Sequence, residues 1–117
     1  MICFDVYVNG VKVCRAGKEE ISVMNCIVDF CRQSEHYEKD EMSLHVGGLI
    51  EHSNARIHPR WVERLHLKSG DEVLIRIVES DATDEPCNEI AYTAEDDRRQ
   101  EMAYFERMRK KFENESE

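Results

Sequence analysis

Ile2-Cys3-Phe4-Asp5-Val6-Tyr7-Val8-Asn9-Gly10-Val11-Lys12-Val13 is the stretch on which the reading of the fold turns. Ile2, Phe4, Val6 and Val8 alternate with Cys3, Asp5 and Tyr7, the period-two pattern of a strand with one buried face. Asn9-Gly10 follows, and both residues tolerate the positive φ of a type I′ turn. With these as the two loop residues, Val8 faces Val11 and Val6 faces Val13. The valines and Phe4 then share one face, while Cys3 and Cys14 share the other. An antiparallel hairpin is expected at the start of the chain.

Working outward, residues 16 to 20 read as a turn, and Ser22 is placed to cap a helix running to about Ser34. On that helix Val23, Met24, Ile27, Phe30 and Cys31 gather on one side, a face wide enough to lie on a sheet. Residues 33 to 41 are polar and turn-like. Residues 42 to 50 form a third strand with Leu44 and Val46 inward, and its Gly47-Gly48 pair signals a bulge or a close backbone approach. His58-Pro59 opens a short helical turn with Trp61 and Leu65 on its inner side. Residues 72 to 79 form a final strand, apolar on both faces through Val73, Ile75 and Ile77 on one and Leu74 and Val78 on the other, hence central. The expected core is Val6, Val13, Ile27, Val46, Trp61, Leu65, Val73, Ile75 and Ile77.

Beyond residue 79 the chain changes character. Residues 80 to 92 carry several acids and no base, which reads as an acidic surface linker. Thr93 then opens a capping box with Asp96. The helix over 93 to 114 has Glu95, Asp96 and Asp97 in its first turn and Arg109, Lys110 and Lys111 in its last, matched to the helix dipole. Residues 115 to 117 are expected to be a disordered tail.

The fold class is α+β. The order strand, strand, helix, strand, short helical turn, strand over residues 1 to 79 resembles the β-grasp or ubiquitin-like architecture, a mixed sheet here followed by a C-terminal helix. Val46-Gly47-Gly48-Leu49, Trp61, Leu65 and Gly70-Asp71-Glu72-Val73 are also similar to a family of short, uncharacterised bacterial proteins, a resemblance that implies no activity. Sulfur carriers and protein modifiers of β-grasp architecture need a terminal Gly-Gly carboxyl. Here that pair is internal and the chain ends Glu115-Ser116-Glu117.

Composition narrows the function classes. A chain of 117 residues holds one ordinary domain. Its net charge of −9 opposes binding to nucleic acid or to anionic lipid, and favours a basic protein partner. No apolar run approaches the ~18 residues that cross a bilayer. The N-terminus lacks a secretory pattern, so cytoplasmic residence is expected. The five cysteines are odd in number and have no C-x-x-C spacing, which reads as reduced, structural thiols. Neither they nor His36, His45, His52, His58 and His66 form the paired spacings of a zinc site, so no metal or cofactor is expected.

Two surfaces remain as candidates. Arg56, His58, Arg60 and Arg64 flank Trp61 in a local concentration of positive charge, suited to a carboxylate, a phosphate or an acidic partner. Phe105, Met108 and Phe112 form an apolar stripe with Met102 on the C-terminal helix, suited to folding back on the sheet, docking in a partner's groove or pairing with a second copy. With no nucleophile elbow and no phosphate loop, the reading is a non-enzymatic protein-interaction module, an adaptor, inhibitor or immunity-type protein, as monomer or homodimer. The alternative is a small ligand-binding domain or enzyme using residues 45 to 66.

Overall fold

The computed structural model describes residues 1 to 115. Seven strands and one helix follow in the order β1 (Ile2–Val8), β2 (Val11–Ala16), β3 (Val23–Cys31), β4 (Glu41–Glu51), β5 (Ala55–Leu67), β6 (Val73–Glu79), β7 (Asn88–Thr93) and α1 (Ala94–Glu115). The strands make two antiparallel sheets, β2-β1-β6 and β3-β4-β5-β7. The class is α+β, but the β-grasp order of elements is not the one adopted.

The N-terminal hairpin forms as its sequence dictates, with Asn9 at φ 52° and Gly10 at φ 79°. The Asn9 amide Nδ2 donates to Asp71 and its Oδ1 accepts from Glu72 N–H, so this turn also fixes the start of β6. The register departs from expectation at one residue. Val8 pairs with Val11, but a shift after Val6 pairs Val6 with Cys14 and leaves Val13 unpaired. A bulge inverts the facing of everything beyond it. Cys14 and Ala16 therefore enter the core, Val13 turns to solvent, and Cys3 and Cys14 lie on opposite faces.

Three segments differ in kind from the reading of the sequence. Residues 23 to 31 are a strand, not a helix. Met24, Cys26, Val28 and Phe30 also satisfy a period of two, and the β-branched and aromatic content decides between the two periods. Residues 55 to 67 are a long strand, not a loop and helical turn. Pro59 lies beside the register shifts of β5 against β4, where a missing N–H is tolerated. Residues 88 to 92, expected in the linker, pair with β5 together with Thr93. Strand β6 is an edge strand rather than a central one.

Val6, Cys14, Ala16, Leu44, Val46 and Trp61 make the buried core between the sheets, with Leu65 and Val73 among the half-buried residues packed on it. Trp61 Nε1 donates to the Asp84 carbonyl at 2.8 Å, which satisfies its one polar atom. Gly47 and Gly48 mark close approaches on both sides of β4. A Cβ on Gly48 would stand 2.2 Å from the Val23 carbonyl oxygen, and one on Gly47 2.9 Å from that of Pro59.

The sheets come closest where β2 meets β5. At the other side, β6 and β3 are the edge strands, and part of each inner face is not covered. Ile75 pairs with buried Val6 and Val28 with buried Leu44, yet Val28, Phe30, Ile75 and Ile77 remain exposed, Phe30 at 54% and Ile77 at 69%. Of the expected core, Val13, Ile27, Ile75 and Ile77 are on the surface.

Helix α1 begins directly after β7. Thr93 Oγ1 accepts from Asp96 N–H at 3.1 Å and Asp96 Oδ2 accepts from Thr93 N–H at 3.0 Å, the reciprocal capping box. Those bonds hold the Asp96 carboxyl below its ordinary range. The helix reaches Glu115, further than expected, so Arg109, Lys110 and Lys111 stand a turn short of its end and its last turn has no base. Of the tail expected at 115 to 117, residue 115 closes the helix and the rest lies outside the described residues. The radius of gyration is 18.5 Å, against ~13 Å for a compact chain of this length, because α1 packs chiefly on β7, with Arg56 of β5 bonded to its first turn, and projects.

Candidate functional site

The four arginine and histidine positions singled out from the sequence do not form one patch. Strand alternation sends His58 and Arg60 to the outer face of the β3-β4-β5-β7 sheet, where Arg64 joins them beyond the bulge. His45 of β4 and Asn25, Ile27 and Asp29 of β3 reach the same face, lining a shallow concavity of about 690 Å³. Arg56 is elsewhere. Its Nη2 donates to Asp97 in the first turn of α1, and that hydrogen bond raises the Arg56 pKa. Arg56 thus anchors the root of the helix instead of contributing to the concavity.

In the concavity His45 Nε2 lies 3.1 Å from Ser43 Oγ and 3.2 Å from Asp29 Oδ2. Strand register explains the grouping, since Asp29 faces Ser43 and Ile27 faces His45 across β3 and β4. A Ser-His-Asp relay needs the carboxylate on one ring nitrogen and the hydroxyl on the other. Here both converge on Nε2, so one nitrogen faces both partners and the two-sided geometry of a relay is absent. The cluster is a cross-strand polar tie. The His58 ring meets Tyr92 edge-on at 5.6 Å between centroids, fixing β7 against β5. Arg60 and Arg64 have no ion-pair partner among the described residues, but Asp29 and Glu63 share the concavity, and its formal charge is close to balanced.

Two of the thiols are made less reactive by burial. Burial pushes the Cys14 thiol up to about 11, with Asp84 adding to it, and burial also raises Cys26. All five cysteines are free. Among the described residues no group of three His, Cys, Asp or Glu side chains is placed to hold a metal ion, and no helix is long and apolar enough to cross a membrane.

The helical candidate is the larger apolar feature. Phe105 and Phe112 are each 62% exposed, Met102 and Tyr104 are comparably open, and Met108 is half-buried. Phe105, Met108 and Phe112 line one shallow apolar surface with Arg109 and Glu113. Sequence reasoning found this stripe but missed the open flank of Val28, Phe30, Ile75 and Ile77. Alternation identified the inward face of β6 correctly. No property of a strand's own sequence says whether the opposite sheet extends far enough to cover it.

Compared with known proteins, the chain matches no family, no curated protein and no solved structure.

Proposed function

We propose that this chain is a protein-interaction module whose docking element is α1. The observation that carries the reading is the exposure of Met102 and Phe105 on a helix that packs chiefly on β7 and is tied to β5 at its root through Arg56. A helix of 22 residues in water is marginal by itself, and its ion pairs contribute only ~0.2–0.5 kcal/mol each. Covering each large apolar side chain contributes about 1.5–3 kcal/mol, so contact with another protein surface decides its stability. The reducing, cytoplasmic setting that suits five free thiols and the kinship with short bacterial proteins belong to the same proposal. A photoreactive residue at position 105 of the full chain is expected to cross-link to protein, and one at Arg107, on the opposite side of the helix, is not. Equal labelling from the two positions would overturn the reading.

A second reading, a small anion held in the concavity, draws support from the free guanidinium groups of Arg60 and Arg64. Titration with inorganic phosphate, followed through the His45 and His58 ring resonances, is expected to move both if this reading holds, and no movement removes it.

A further inference from the structure

The chain carries two exposed apolar surfaces that it does not bring together. One is the open flank of the sandwich, Val28 and Phe30 on β3 with Ile75 and Ile77 on β6. The other is the stripe of α1. An apolar sheet face must be buried against another element, and a helix laid along this flank would do so. The one helix among the described residues leaves from β7, the edge of its sheet opposite to β3. Folding it back onto its own flank would need slack, and none exists. Strand β7 ends at Thr93, α1 starts at Ala94, and both the capping box and the Arg56–Asp97 pair pin the first turn.

Resting on the interaction reading above, we infer that the partner is a second copy of this chain, and that the two copies exchange arms. The stripe of α1 from each lies along the β3 and β6 flank of the other.

Charge supports the register. The β3-β4 connection beside Phe30 carries Glu35, Glu38 and Asp40 against Arg32 and Lys39, and Glu41 opens β4. The second half of α1 carries Arg107, Arg109, Lys110 and Lys111 against Glu106, Glu113 and Glu115, a net positive charge, and of these bases only Arg109 makes an ion pair among the described residues. In an otherwise acidic protein, this basic half-helix meets its complement at the end of β3. The area is adequate as well. Seven or eight large side chains exposing ~100 Å² apiece give about 800 Å² for one contact, and about 1,600 Å² for the two contacts of a twofold pair, the size of a standard stable interface. The exchange is isologous, so it closes at two copies and leaves no free arm to propagate.

Sedimentation equilibrium of the full chain and two surface variants tests this. Met102→Glu with Phe105→Glu disables the arm, and Phe30→Glu with Ile77→Glu disables the flank. All four positions are exposed, so circular dichroism of each variant should match the parent. The parent is expected to be a dimer, each variant a monomer, and an equimolar mixture a heterodimer at least 10-fold weaker than the parent, because one of two contacts is restored. A flank variant that still dimerises would mean that helices pair with each other, and overturns the exchange. A monomeric parent overturns it too. The cross-linking test then decides separately whether α1 docks on some other protein, so the two readings fail by different results. Should the double flank variant misfold, Phe30→Glu alone gives the same test.

Discussion

The two flanks of the sandwich are built from the same kinds of residue and end in opposite states. On the β2 and β5 side, Cys14, Ala16 and Trp61 are sealed, and even the indole N–H is matched by a backbone carbonyl. On the β6 and β3 side, Ile75, Ile77, Val28 and Phe30 point inward by register and stay in solvent. The difference is supplied by what lies opposite. The bulge after Val6 swings β2 so that its small residues meet Trp61, while β6 and β3 have no layer between them. A hydrophobic face is therefore a demand for cover, and the chain meets it on one side only.

The sharpest way to break this contrast is truncation on each side. Trp61→Ala is expected to cost ~3–5 kcal/mol in urea unfolding, as large core truncations do. Ile77→Ala, measured at a concentration low enough to keep the chain monomeric, is expected to fall within about 0.5 kcal/mol of the parent. Comparable losses at both positions would mean that the second flank is closed.

A second test sharpens what holds the outer face of the three-stranded sheet. Arg15 donates to buried Asp5 through Nε at 2.7 Å and Nη2 at 3.0 Å, and Lys12 lies 3.3 Å away. The Arg15 hydrogen bonds hold the Asp5 carboxyl below its ordinary 3.8, against the opposing effect of burial. A depressed carboxyl stabilises the fold above its unfolded pKa, and that contribution is lost as pH falls through the folded value. Asp5→Asn should then lose ~1.5–3 kcal/mol near neutrality and show a shallower acid limb below pH ~4. An unchanged acid limb would remove Asp5 from the account.

How much of this was legible in the sequence follows the same line. The hairpin turn at Asn9-Gly10, the capping box at Thr93 and Asp96, and the close approach at Gly47-Gly48 were all readable, because each rests on one or two residues with a particular backbone need. Residues 23 to 31 were not, since their apolar positions fit two periods at once. The bulge at Val13 left no mark either. It moved Cys14 inward through strand twist and packing against Trp61, which only the assembled sheets define. For the site, His58, Arg60 and Arg64 were grouped only as a local run of charge, and it is strand alternation, in place of the expected helical turn, that sets them on one face. Arg56 was grouped with them in error, because its partner Asp97 lies 41 positions away in sequence.

A smaller effect probes the root of the arm. Thr93→Ala removes one half of the capping box and should cost about 1 kcal/mol, seen as a loss of helical signal with the sheet unchanged. Loss of the sheet signal as well would show that α1 is integral to the domain. The thiols give the mildest contrast. Cys87 is exposed and should react with a disulfide reagent in the native state, whereas buried Cys14, with its thiol raised to about 11, should wait for unfolding.

The central claim is that the arm and the open flank cover each other between copies. Amide hydrogen exchange at low and high protein concentration reads both surfaces in one experiment. Protection over residues 102 to 108 of α1 and residues 27 to 31 of β3 should rise together with concentration, while residues 44 to 46 of β4 stay protected throughout. Protection of α1 that is independent of concentration, or that rises without any change in β3, would contradict it.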